Sequence, residues 1–181
     1  MALYAEISKY LLKPKMKHIN RAVAVSIFVI ALTLQACTTL YVQPEGKDVA
    51  VLRIKNDTAG LLIVDAFESG AECRGRLALT PDRTMPAFGE LAINVKPGEP
   101  FSFYVGYLWQ HGLKRAGCDF LVTFNPRANG QYTARLSVNA SEQKCYMPLM
   151  VQTTSGEQPE SSVRLRKFRE LILNESSSFC E

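Results

Sequence analysis

From Cys118 to Val151 apolar and polar residues alternate with a period of two, a spacing that suits half-buried strands and no amphipathic helix. Cys118, Phe120, Val122 and Phe124 share one face, with Asp119, Leu121 and Thr123 on the other. Tyr132, Ala134, Leu136 and Val138 form a second inward set, opposed by Thr133, Arg135 and Ser137, and Cys145, Met147, Leu149 and Val151 form a third. Asn125–Gly130 separates the first two sets and ends in Asn129-Gly130, a pair that tolerates positive φ. Three consecutive strands with one apolar face each predict a sheet that a second layer must cover.

Upstream the same grammar recurs in shorter phrases. Val49–Lys55 alternates, with Ala50, Leu52 and Ile54 on one face, and Asn56–Gly60 is a turn cluster. Leu61–Phe67 is apolar enough to be buried on both faces for part of its length. The pattern lapses between Arg74 and Gly89, apart from a short strand near Leu77–Leu79, and resumes at Leu91–Val95. Lys96-Pro97-Gly98-Glu99 reads as a β-turn, and Phe101–Trp109 as an aromatic strand followed by a polar loop over His111–Gly117. Near the end, Val163 and Leu165 alternate with Arg164 and Arg166 as in an edge strand, whereas Leu165, Phe168 and Ile172 have helical spacing. A strand that breaks into an irregular tail at Asn174–Ser178 is the reading adopted. Short strands divided by turn residues predict an all-β fold, a two-layer antiparallel β-sandwich over residues 49–181.

Ahead of this domain lies Met16–Cys37. It opens with Lys17, His18 and Arg21, continues through an apolar run from Ala22 to Leu34, and stops at Leu34-Gln35-Ala36-Cys37. A cationic start, an apolar segment and small residues at a cleavage point are the parts of a secretory leader. The alternative is an uncleaved membrane anchor, for which the run is short and lacks a basic stop. Pro14 between Lys13 and Lys15 suits a continuing helix badly, so residues 1–15 read as an upstream start-site extension and 16–36 as the signal peptide.

The segment resembles a bacterial lipoprotein signal, with Leu34 and Ala36 at the matching lipobox positions and Gln35 departing from the commonest residue between them. The resemblance implies that Cys37 is lipidated and becomes the first residue of the mature chain. It further implies a periplasm-facing protein of the outer membrane, because Thr38 and not aspartate follows the cysteine. Burial is worth about 0.8 kcal/mol per methylene and two membrane signals hold firmly, so such an anchor would not leave the bilayer.

Setting the leader aside changes the charge. The chain has 21 Lys and Arg against 17 Asp and Glu; residues up to Cys37 hold five of the former and only Glu6 of the latter, leaving 16 of each. A balanced domain lacks the long-range basic field that nucleic acid binding exploits. Residues 37–48, with Pro44 and Gly46, read as the lipidated cysteine and a short tether.

Four cysteines remain: Cys73, Cys118, Cys145 and Cys180. An even number in an oxidising compartment predicts two disulfides, and the absence of any close Cys-x-x-Cys pair speaks against zinc. Three connectivities are open; Cys118–Cys145 with Cys73–Cys180 is the one favoured. In a simple meander Cys118 and Cys145 would flank one central strand about 9.6 Å apart, beyond disulfide reach. That bond therefore requires the strand near Cys145 to leave its neighbour and cross to the facing sheet. Stapling two sheets is what a similarity to immunoglobulin-like sandwiches would imply.

Catalytic signatures are sparse. His111 is the one histidine after the leader, and a hydrolytic serine or cysteine needs such a base beside it. No Gly-x-Ser-x-Gly or His-Glu-x-x-His occurs. Glu68 with Glu72 is too common a pairing to signify glycoside chemistry. The basic run Arg164–Arg169 suits an anionic saccharide or lipid phosphate, or equally an edge strand guarded by charge. Tyr104, Tyr107, Trp109 and His111 form a candidate binding surface, against the alternative that this run is core.

The domain also resembles small proteobacterial envelope lipoproteins, through its tether, short strands, paired cysteines and the element Phe124-Asn125-Pro126-Arg127-Ala128-Asn129-Gly130-Gln131-Tyr132. That resemblance implies no catalytic residue. The expectation is a non-enzymatic binding or assembly module of the envelope, with no cofactor, metal or nucleic acid and with the membrane and an envelope protein as partners. An inhibitor or immunity lipoprotein against an envelope hydrolase is the alternative, and a hydrolase using His111 the third.

Overall fold

The computed structural model describes residues 39–111, 114–139, 141, 144–169 and 177–181, with backbone only for 108–111 and 114–116. The expected signal peptide with its helix, and the expected lipidation site Cys37, lie outside the described residues. Among those described there is no helix, and the strands form two sheets.

One sheet holds β1 (Ala50–Asn56), β5 (Glu90–Val95), β8 (Gln131–Asn139), β9 (Lys144–Tyr146), β10 (Leu149–Thr153) and β11 (Gly156–Pro159), in the order β11-β10-β8-β1-β5, with β9 also on β8. The other holds β2 (Leu62–Ser69), β3 (Arg74–Ala78), β4 (Thr84–Met85), β6 (Phe101–His111), β7 (Lys114–Phe124) and β12 (Arg164–Arg166), ordered β12-β7-β6-β2-β3, with β4 also on β2. The fold is a two-layer β-sandwich. It departs from the antiparallel expectation at one seam, where β1 runs parallel to β8 with Leu52 opposite Tyr132. A parallel pair cannot be joined by a hairpin, and here most of the domain separates the two strands.

The core between the sheets is built from the alternating sets. Ala50, Leu52, Ile54, Tyr132, Ala134 and Leu136 meet Leu62, Val64, Phe103, Val105, Val122 and Phe124. The rings of Phe124 and Tyr132 lie 4.8 Å apart across the layers. Fully burying such a side chain is worth about 1.5–3 kcal/mol.

The crossing between sheets occurs earlier than the cysteine argument placed it. β7 and β8 stand in opposite sheets, so the Asn125–Gly130 stretch is an arch and not a hairpin. Asn129 takes the expected positive φ of 58°. The Arg127 amide donates to the Tyr132 hydroxyl at 2.8 Å, fastening the arch to the first turn of the next strand. This is the logic of the tyrosine corner of immunoglobulin-like domains. The strand near Cys145 stays beside its neighbour: β9 and β10 line β8 in one continuous register, with Tyr146 on Ser137 and Leu149 on Ala134, interrupted around Pro148, which has no amide to donate.

Two further expectations are corrected. Of the polar loop expected over His111–Gly117, residue 111 and residues 114–117 are instead strand, because pairing between β6 and β7 continues from Phe101 opposite Phe124 out to His111 opposite Lys114. The tether is docked: Tyr41 donates its amide to the Ala78 carbonyl, Ala78 donates to Thr39, the Tyr41 hydroxyl bonds Asn94, and Gln43 receives the Asn94 amide. Residues 39–43 thereby cover the open edge of β3 and reach β5, closing two sheet edges that would otherwise invite foreign strands.

The outer face of the β6-β7 sheet carries a small third layer. Leu121, expected outside, is 1 % exposed because Phe67, Tyr104, Phe168, Phe179 and the Cys73–Cys180 pair pack over it. The C-terminal residues lie across this face, held by Phe179 N–H to the Cys73 carbonyl and Arg169 N–H to the Phe179 carbonyl.

Candidate binding site

Two members of the candidate aromatic surface are core residues. Tyr104 and Tyr107 are both buried, at 7 % and 8 % exposure, and belong to different packing clusters on opposite faces of β6. Alternation along a strand separates residues an odd number apart, so four aromatics in sequence cannot form one wall. The side chains of Trp109 and His111 lie outside the described residues.

Tyr104 instead belongs to a closed polar knot. Asp65 is fully buried, and its carboxylate accepts from Arg76 at 2.7 Å and from Arg83 at 2.8 Å, so both oxygens are occupied. The Arg76 guanidinium lies 5.5 Å from the ring centres of Tyr104 and Phe168 and 5.6 Å from that of Phe179. The Tyr104 hydroxyl donates to Asp119 at 2.5 Å, and burial, then that bond, then the carboxylate charge push its pKa upward. The knot is satisfied internally and leaves no group poised to react. Its role is to hold the third layer.

The cysteine pairs are at disulfide distance. Cys73 and Cys180 have Cα atoms 5.6 Å apart, and Cys118 and Cys145 6.2 Å apart, the second pair linking β7 to β9 across the sandwich. Among the described residues no three His, Cys, Asp or Glu side chains gather as a metal site would require.

A concave surface lies at the arch end of the sandwich. A cleft of about 590 Å³ is lined by Pro97, Gly98, Asn125, Pro126, Arg127, Ala128 and Ser162. A second, of about 160 Å³, shares Asn125 and Ser162 and adds Ala71, Thr123, Arg164 and Arg166. Three connections build this end. The β5–β6 turn places Gly98 at φ 81° and bonds its amide to the Pro126 carbonyl; the arch supplies Asn125 to Ala128; the link from β11 to β12 supplies Ser162.

Ser162 is fixed rather than reactive. Its hydroxyl donates to Glu160 Oε1 at 2.8 Å and accepts the Asn125 amide at 2.9 Å, while its own amide also bonds Glu160. A carboxylate that closes a turn in this way positions backbone and lacks the histidine that would make the serine a nucleophile. Arg166 donates from Nη1 to the Ala71 carbonyl at 2.9 Å and from Nε to the Glu181 main-chain oxygen at 3.4 Å, two of its five donors. Neither Arg127 nor Arg164 makes a side-chain ion pair or hydrogen bond among the described residues.

The basic run divides accordingly. Lys167 and Arg169 are engaged by Glu181, whose carboxyl the Arg169 hydrogen bond, then the Arg169 and Lys167 charges, hold below its ordinary range. Arg164 and Arg166 line the cleft. Only the topology brings Arg127, 37 positions before Arg164, to the same end of the molecule; in the sequence Arg127 is a cation after Pro126 in a loop, with nothing to link it to Arg164.

No protein-family model matches the chain, and no curated protein matches it.

Proposed function

We propose that the chain is an outer-membrane lipoprotein, held by Cys37 on the periplasmic side, whose β-sandwich acts as a non-enzymatic binding or assembly module of the cell envelope. The observation that carries this reading is the order cationic start, apolar run and Leu34-Gln35-Ala36-Cys37, followed directly by a cysteine-braced sandwich. The brace suits an oxidising compartment, and the arch-end clefts offer a rigid surface for a partner. The docked segment adds a geometric consequence. One residue, Thr38, separates Cys37 from the hydrogen-bonded Thr39, a reach of at most about 7 Å. A processed, lipidated chain would therefore ride against the membrane and not on a long leash.

Labelling cells with a clickable palmitate analogue tests the anchor: the wild-type chain should incorporate label and sediment with outer membrane, and Cys37→Ala should do neither. An unacylated amino terminus on the processed wild-type chain would overturn the reading. Cross-linking in intact cells then identifies the partner.

A further inference from the structure

We infer that the arch-end clefts bind an oxyanion-bearing ligand, with its charged group between Arg164 and Arg166 and its body along the Pro97–Pro126 wall. This deepens the binding reading above by naming the chemistry that the module recognises.

Guanidinium groups offer planar forks that match carboxylate and phosphate, and they bind strongly where the protein has not already neutralised them. Arg164 meets that condition among the described residues, and Arg166 is half-buried with its guanidinium oriented by the Ala71 carbonyl at 2.9 Å and the Glu181 main-chain oxygen at 3.4 Å, which leaves part of its fork open. β12 lies on β7 with Arg164 opposite Thr123 and Arg166 opposite Leu121, so the two arginines stand on the same face two residues apart. The Thr123 hydroxyl beneath them is within 2.6 Å of the Ser102 hydroxyl, which itself donates to the Gly70 carbonyl, making a fixed polar floor. Arg127 provides a third cation along the wider cleft, where Pro97, Gly98, Pro126 and Ala128 give an otherwise apolar wall.

Opposing charge also locates the anion. Glu160 is buried beside Ser162, with one oxygen lacking any partner, so the Ser162 side repels an oxyanion and the arginine side attracts it. The Glu181 side chain is drawn off by Arg169 and Lys167, while its main-chain oxygen accepts from Arg166 Nε.

The test titrates the full-length chain in detergent micelles with inorganic phosphate, glycerol 3-phosphate as a soluble lipid headgroup, and galacturonate as a sugar carboxylate, with galactose as neutral control. Backbone amide shifts at Asn125, Arg127, Ser162 and Arg164 report binding. Saturable shifts are expected with at least one oxyanion and none with galactose, and the tightest of the three identifies the source. Arg164→Gln and Arg127→Gln, neither of which removes a described contact, should each weaken binding about ten- to a hundredfold. Lys55→Gln, which removes an equal charge on β1, should leave it unchanged. The inference fails if no oxyanion saturates, if a variant carrying both Arg164→Gln and Arg127→Gln binds as before, or if Lys55→Gln weakens binding equally. Palmitate incorporation at Cys37 is independent of these substitutions, so loss of one conclusion leaves the other standing.

Discussion

Asp65 shows at the scale of one residue how the fold handles a charge that it has buried. Two arginines neutralise it, and three aromatic rings surround one of them. Removing one member of such a group strands its partners, so Asp65→Asn should cost about 3–5 kcal/mol, read as a lowered midpoint in urea. Tyr132 carries a smaller and more local duty. Tyr132→Phe keeps the ring and deletes the acceptor for Arg127, an expected loss of about 1 kcal/mol in the same measurement. Tyr41 links stability to alkali. Burial pushes its pKa up from 10.0 to about 12, so the folded chain holds this proton more tightly than the unfolded one. Its contribution is complete below pH 10 and is lost as pH rises to 12. Thermal midpoints compared across that range should fall more steeply for wild type than for Tyr41→Phe. None of these three roles was legible in the sequence, where Asp65 is one acid in an apolar strand and Tyr41 part of an unpatterned tether.

Among elements, the arch and the C-terminal strap decide most. Gly130 sits where a Cβ would come within 2.6 Å of the Tyr132 ring, and that ring is fully buried in the core. Gly130→Ala should therefore destabilise by about 1–3 kcal/mol, checked by chemical unfolding. The strap owes its place to Phe179 and to the cysteine pair 107 residues apart in sequence. In the chain-entropy account that closure is worth about 5 kcal/mol and the 27-residue closure about 3.5 kcal/mol. Cys180→Ser should accordingly lower the unfolding midpoint more than Cys145→Ser does, and should speed amide exchange at Leu121, which the strap covers. Strand positions were readable because a half-buried strand writes its own period. The strap was not, since a third layer reverses the meaning of an outward residue such as Leu121 without altering the pattern.

For the whole molecule, the described residues form a sandwich with covered edges and a concave end. Charge guards β12, the docked segment covers β3, and Pro159 ends β11. Local physics determined the all-β class and most strand positions, because each rests on neighbours a few residues apart: alternation and turn chemistry. Tertiary structure decided which sheet each strand joined, the parallel seam between β1 and β8, the burial of Tyr104 and Tyr107, and the placing of Arg127 and Arg164 on two clefts that share Asn125 and Ser162. A period of two says which side chains share a face, and it is identical for a strand that pairs with its predecessor and one that arches to the opposite sheet. Only packing between residues distant in sequence distinguishes the two.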